Sequence, residues 1–430
     1  MFQRLLLITT LCLSAASAQR QASNPAPQKR ERQVKTFTLP PDKLEKAIEY
    51  SAARDRLYFL SVAYSIVLLV SVLDWRLAPR FRDWAEAASG RRILQAYIFA
   101  PLLLVAVDAL SLPISLYRHH LALRYDQSIQ GWGSWLWDWT KGELIQFLLA
   151  GVMVWILYGV IGRSPRRWWF YFWLAAAPIV VFLMFIAPVV IAPLFFKFEP
   201  LAARQPALVA EIEKVVARGG LEIPRERMYE MKASEKLKSV DAYVAGMGAS
   251  QRVVVWDTTI QKMTTGQILF VFGHEMGHYV LQHVWIGIAV TCLAILVFLF
   301  LGYYVMHWAL ARWGGRWSIR NIGDWASLPV LLLAVTVFGF FADPVTNSFS
   351  RVLEHNADIY GLEVIHGLVP NSSEAAADAF QILGEVALSD PNPSAFIEFW
   401  LYGHPSVGSR VRFASEYDPW GTGQAPKYIH

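Results

Sequence analysis

The chain has 430 residues, of which 55% are hydrophobic and only 17% charged, with a formal net charge of +5. That much apolar surface excludes a disordered chain, and the charge is too sparse for an ordinary water-soluble enzyme, where about a quarter of residues are charged. The 18 Trp and 25 Phe suit aromatic belts at a bilayer interface, where the positive excess belongs to loops rather than to a nucleic-acid-binding face. An integral membrane protein with no nucleic-acid partner is expected.

Residues 1–18 read as a signal peptide. Arg4 supplies a basic start, residues 5–13 an apolar core, and Ala16-Ser17-Ala18 a small-residue cleavage site. Residues 19–50 follow as a polar tether rich in Pro, Gln and basic side chains. Cleavage would remove Cys12 and leave Cys292 alone, so no intrachain disulfide is expected in the mature chain.

Six apolar runs are long enough to cross a bilayer: 57–73, 93–114, 144–162, 168–196, 284–310 and 326–342. The second contains Asp108 and Pro113. The fourth carries Pro178, Pro188 and Pro193, which predict a bent or re-entrant end. No internal repeat argues for a transporter built from inverted halves. Arginines cluster in alternate loops: Arg76, Arg80, Arg82, Arg91 and Arg92, then Arg163, Arg166 and Arg167, then Arg312, Arg316 and Arg320. By the positive-inside rule these loops are cytoplasmic. The polar stretch 197–283 and the tail 343–430 then face the opposite side.

In that polar stretch, residues 208–218 have helical periodicity and residues 252–256 read as a strand. A further helix, predicted to run on into the fifth span, contains His274-Glu-Met-Gly-His278. Two histidines four apart project from one helix face, as a tetrahedral zinc requires. Glu275 between them is placed to take a proton from a water at the metal. His283, five positions on, is rotated off that face and reads as an interfacial residue. A third ligand is sought after the sixth span, where a predicted helix sets Glu354 and Asp358 one turn apart. Taken alone, that segment reads more simply as a solvated acidic face. With the two histidines, Glu354 becomes the candidate ligand and Asp358 the acceptor for the free ring N–H of a zinc histidine. His355 points elsewhere.

His274-Glu-Met-Gly-His278 followed by Ser350-Arg351-x-x-Glu354-x-x-Ala357-Asp358 resembles the integral-membrane CAAX prenyl proteases of type I, a zinc metalloprotease family. Ile191-Ala-Pro-Leu-Phe-Phe-Lys-Phe-Glu-Pro-Leu201, Asp241-Ala-Tyr243, Val253-Val-Val-Trp-Asp257 and His404-Pro-Ser-x-x-x-Arg410 extend the likeness over roughly residues 50–415. The resemblance implies one Zn2+ per chain on His274, His278 and Glu354, with Glu275 as general base. It also implies His404 and Arg410 as groups near the substrate backbone and the tetrahedral intermediate, where donors and positive charge offset a developing oxyanion. Asp241, Ala242 and Tyr243 would belong to an edge strand that holds peptide substrate by backbone pairing. Family members usually have Asn at the position of Asp241, and an ionised Asp cannot donate a hydrogen bond. Eukaryotic members also carry an extra first span and face the cytosol, whereas the arginine pattern here turns the site outward.

The expected fold is a mainly α, polytopic six-span bundle enclosing a chamber, capped by a small α+β zincin-like domain. Residues 51–200 would form an N-terminal membrane domain of four spans. Residues 201–430 would form the metalloprotease domain, with spans 284–310 and 326–342 inserted. His278 precedes the fifth span by about 9 Å of helix, and Glu354 follows the sixth by about 18 Å, which puts the metal near the membrane boundary. The expected activity is zinc-dependent hydrolysis of membrane-associated or lipidated, CAAX-like peptides, with peptide and bilayer as partners. A broad membrane-protein quality-control protease is the alternative within the class. A transporter or channel with a structural zinc is the alternative outside it.

Overall fold

The computed structural model describes residues 34–246 and 251–429; segment 1–18, expected to be a signal peptide, and the first part of the 19–50 stretch lie outside the described residues. Helix α1 (Pro41–Asp74) opens with Pro41 in its first turn beside Asp42, a start that the missing proline N–H and the helix dipole both favour. Residues 41–50, read as tether, are therefore helical, and Ala47 is fully buried. After α2 (Leu77–Ala88) come α3 (Arg92–Arg124), α4 (Trp132–Arg163) and α5 (Trp168–Ile186). Asp108 and Pro113 do not interrupt α3, which stays helical throughout. The bend expected from the prolines after α5 is present: the helix loosens into a π turn over Ala187–Ile191 and a 3-10 turn over Ala192–Leu194.

The chain then builds a four-stranded sheet from β1 (Phe198–Pro200), β2 (Met228–Met231), β3 (Ala242–Ala245) and β4 (Arg252–Trp256), in the order β1-β2-β4-β3. β2 and β4 are parallel and both outer pairings antiparallel. Between β1 and β2 lie α6 (Leu201–Arg204) and α7 (Pro206–Arg218). The latter buries Leu208, Val209, Ile212, Val215 and Val216 along one stripe, as its periodicity predicts. Next come α8 (Asp257–Lys262), α9 (Thr265–Val280), α10 (His283–Trp313) and α11 (Leu328–Ile365), followed by the short helices α12 (Ser372–Val386), α13 (Ala395–Leu401), α14 (Val407–Glu416) and α15 (Pro419–Thr422).

Helix α9 does not run on into the fifth span. It ends at Val280, and Gln282 takes a left-handed conformation (φ 62°) before α10 starts at His283. That turn redirects the chain between the two helices. Among the described residues six helices are long and apolar enough to span a membrane: α1, α3, α4, α5 with its 3-10 end, α10, and α11 with the turn before it. They correspond to the six expected runs.

Among the described residues two large apolar cores result, beside a small cluster of Met231, Ala233 and Val254. One lies in the bundle around Val72, Phe99, Tyr158, Trp168 and Trp325. The other unites α7, α9, α12 and the sheet around Ile212, Val255, Phe272, Val364 and Phe380. Helix α11 enters both: Val330 and Leu331 pack in the bundle core, Leu362, Val364 and Ile365 in the other. One continuous helix thus carries Glu354 from the span to the site.

Candidate active site

Helix α9 is fixed at its start by a capping box. Thr264 N donates to Gln267 Oε1 at 2.8 Å, and Gln267 N donates back to Thr264 Oγ1 at 3.5 Å. Three turns on, the helix lies almost against α11. A Cβ added to Gly361 would stand 3.0 Å from the backbone N of His274, and one on Gly273 would stand 2.7 Å from Val364 Cγ1. Glycine is what lets the two ligand-bearing helices approach so closely.

The approach gathers the expected ligands. His274 Nε2 lies 3.2 Å from His278 Nε2 and 3.2 Å from Glu354 Oε2, while His278 Nε2 lies 3.4 Å from Glu354 Oε1. Ligand atoms of these three residues all fall within 4.8 Å of one another. A tetrahedral ion with bonds of about 2.0–2.1 Å needs ligand–ligand edges of about 3.3 Å, so the triangle already has the dimensions of one face of such a site. Its electrostatics agree. Burial alone would lower His274, yet the adjacent carboxylates of Asp358 and Glu354 push it up to about 9: the buried carboxylates favour a cation here. Glu354 Oε2 is buried with the nitrogens of His274 and His404 at 3.2 and 3.4 Å but no well-directed hydrogen bond to it, which leaves a lone pair that a metal would use. The residues fit a metal ion.

The surroundings are ordered by Asp358, which is fully buried. Its Oδ1 lies 2.8 Å from His274 Nδ1, and Arg410 donates to both its oxygens, Nε to Oδ2 at 3.0 Å and Nη2 to Oδ1 at 2.6 Å. Arg410, expected beside the tetrahedral intermediate, therefore uses two donors to hold Asp358; its Nη2 is also 3.9 Å from Glu354 Oε2. His404 is the more open group, with its side chain 63% exposed and Nε2 3.4 Å from Glu354 Oε2. Glu275 Oε1 lies 3.9 Å from His274 Nε2. Burial raises its pKa, against the two imidazoles that lower it.

A cavity of about 440 Å³ opens beside these groups, lined by Glu275, His278, Glu354 and residues 243–246. Strand β3 pairs with β4 on one side, has no strand partner on the other among the described residues, and lines the same cavity as Glu275, His278 and Glu354. Asp241 precedes β3. Its N donates to Thr259 Oγ1 at 2.8 Å, and its Oδ1 accepts from Ala242 N at 2.8 Å. Of the three residues expected to hold substrate, Tyr243 lines the cavity, whereas Ala242 is buried and neither it nor Asp241 is part of the lining. His355 packs instead on Phe413, ring centroids 4.5 Å apart.

Sequence reasoning missed three positions. Arg351 donates Nη1 to Glu398 O and Tyr402 O, at 2.9 and 2.6 Å, and Asn347 donates Nδ2 to Trp400 O at 2.7 Å. Both fasten the turn that presents His404, and their place just before Glu354 on one helix was the available signal. His283, read as interfacial, is buried with its Nδ1 3.1 Å from His278 Nδ1.

Fold and site together define a membrane metallopeptidase. The comparisons specify it: the model of the CAAX prenyl protease N-terminal region, five membrane helices, matches residues 21–197, and that of peptidase family M48 matches residues 202–418. The chain belongs to peptidase family M48, in its branch related to the CAAX prenyl proteases. It is 34% identical over 382 residues to the uncharacterized metalloprotease YhfN of Bacillus subtilis, covering 88% of this chain and 87% of that one. It is 26% identical to a CAAX prenyl protease 1 homolog of Oryza sativa, covering 88% of each. The crystal structure of S. mikatae Ste24p superposes with a TM-score of 0.74 at 21% identity, over 88% of this chain and 89% of that chain, which shows a common fold.

Proposed function

We propose that the protein is a zinc endopeptidase that cleaves peptide bonds of membrane-associated substrates, with His274, His278 and Glu354 holding one Zn2+ per chain. The observation that carries it is the triangle of ligand atoms with Glu275 at its edge, in a cavity that β3 also lines. When bound, the ion would polarise the scissile carbonyl and acidify a water. The edge of β3 would take the substrate backbone as an added strand. Glu275 would accept the proton of the attacking water and return it to the leaving amine. His404, exposed beside Glu354, would donate to the developing oxyanion. Asp358, locked by Arg410, would hold the His274 tautomer. Glu275 has no task in a structural zinc site, which argues against a transporter with a merely structural ion.

The same domain division is part of this proposal: residues 51–200 as the membrane portion with four spans, and residues 201–430 as the protease portion, with α10 and the first part of α11 as its two inserted spans. The site is placed on the non-cytoplasmic face. Arginine-rich loops meet at one end of the bundle: Arg76 Nε donates to Arg316 O at 2.9 Å, and Arg82 pairs with Asp324 at 2.6 Å. The site lies toward the opposite ends of the span helices, at the start of α10 and the later part of α11. Among the described residues four of the six span helices fall in the region matched by the five-helix family model. Prenylation is cytosolic chemistry, so an outward site favours membrane peptides at large over strict CAAX processing, the activity in the names of several relatives.

Mass spectrometry of products from matched prenylated and unprenylated peptides tests the substrate reading. Cleavage of both supports it, and cleavage of the prenylated peptide alone restricts the enzyme to CAAX-like substrates. A reporter fused within residues 201–227 tests orientation; a cytosolic signal contradicts the outward placement.

A further inference from the structure

We infer that His283 is the outer partner of the ligand His278, accepting its Nδ1–H and thereby fixing both tautomer and ring orientation; this rests on the proposed metal site. A histidine that binds a metal through one nitrogen carries its proton on the other, and that N–H needs a buried acceptor if the ring is to stay aimed. His274 has one in Asp358. Among the described residues no carboxylate stands behind His278. Its Nε2 faces inward, 3.2 Å from His274 Nε2 and 3.4 Å from Glu354 Oε1, so Nδ1 is left facing outward. The atom it meets there is His283 Nδ1, at 3.1 Å, with the rings inclined at 70° and their centroids 5.1 Å apart.

Two nitrogens at hydrogen-bond distance must be one donor and one acceptor. If His278 donates, His283 is neutral and carries its own proton on Nε2. The backbone explains how a residue five positions past His278 comes to lie behind it. On a continuous helix it would be rotated well away. The left-handed Gln282 breaks the helix after Leu281 and restarts it at His283, which swings that imidazole back toward α9. His283 is buried there, 7% exposed. It stands behind a ligand and is not one itself: among the described residues the cluster with metal-ligand geometry contains His274, His278 and Glu354 only. The two ligand histidines are therefore backed unequally, one by an arginine-neutralised carboxylate and one by a neutral imidazole. His278, with its side chain 22% exposed against 8% for His274, depends on that partner to stay aimed.

The test is zinc affinity of the full chain in detergent, measured by chelator competition, together with the thermal midpoint of the metal-free chain. His283→Ala and His283→Phe should each weaken zinc binding by about 10- to 100-fold. His283→Asn, whose side-chain carbonyl sits near the lost Nδ1, should recover most of it, and the metal-free midpoint should not follow this ranking. Unchanged affinity in the Ala and Phe variants overturns the inference. So does a loss that Asn fails to recover and that tracks the metal-free midpoint, since packing alone would produce it. His278→Ala is the control for the underlying site: if wild type binds no zinc, or His278→Ala binds as tightly as wild type, the metal reading itself fails.

Discussion

Asp358 stands 2.8 Å from Nδ1 of His274, one helical turn past Glu354, and reaches it only because α9 and α11 touch through glycine. A fully buried carboxylate in that position is held by Arg410 from its far side. Asp358→Asn keeps the shape and removes the charge, and should weaken zinc binding by about 10- to 100-fold. Arg410→Ala leaves the carboxylate buried without its cation and should cost about 3–5 kcal/mol of stability. Chelator competition reads the first and thermal or denaturant unfolding the second. Wild-type zinc affinity in Asp358→Asn would remove Asp358 from the metal's support.

Arg351 reaches the site through the backbone it ties down. Its two bonds to the Glu398 and Tyr402 carbonyls hold the turn that precedes His404. Arg351→Ala should lower kcat by on the order of 10- to 100-fold, the cost of a misplaced group, with zinc content unchanged. Arg351→Lys should restore only part of the rate, because one ammonium cannot reproduce the planar fork. A fall in zinc content with intact kcat per bound metal would place Arg351 in the ligand shell's support instead.

Asp241 supplies the pH dependence. Burial, and then the charge of Glu275, push its pKa up to about 7. The sign follows: below that value the carboxyl is protonated and can donate to a substrate carbonyl, as an Asn would; above it the group is charged and can only accept. KM for a peptide substrate should therefore rise as pH passes upward through about 7. Asp241→Asn should flatten that rise and keep the low-pH KM. Steady-state kinetics from pH 5.5 to about 8.5 check it, and an unaltered slope in the variant would assign the titration elsewhere.

Much of the site was legible because its chemistry is local in sequence. His274 and His278 share a face by helical spacing alone, and Glu354 and Asp358 likewise. The six spans followed from apolar length, and the loosened end of α5 from its prolines. What escaped depends on contacts between distant segments or on one backbone turn. Apolar continuity suggested that α9 ran into the fifth span, and only the left-handed Gln282 separates the two and turns His283 toward His278. Arg410 carries no signal in its own segment that it would clasp Asp358 rather than stand free for substrate. The helical start of α1 at Pro41 was hidden in a stretch whose polar composition resembles a linker.

The central claim is that Glu275 moves the proton while His274, His278 and Glu354 hold the metal. Glu275→Gln preserves the side chain's size and leaves all three ligands in place. Metal content and peptide cleavage measured on the same purified sample should show one zinc per chain, as in wild type, with cleavage reduced by about 10²- to 10⁴-fold. Cleavage at the wild-type rate in a zinc-loaded Glu275→Gln sample would contradict the account.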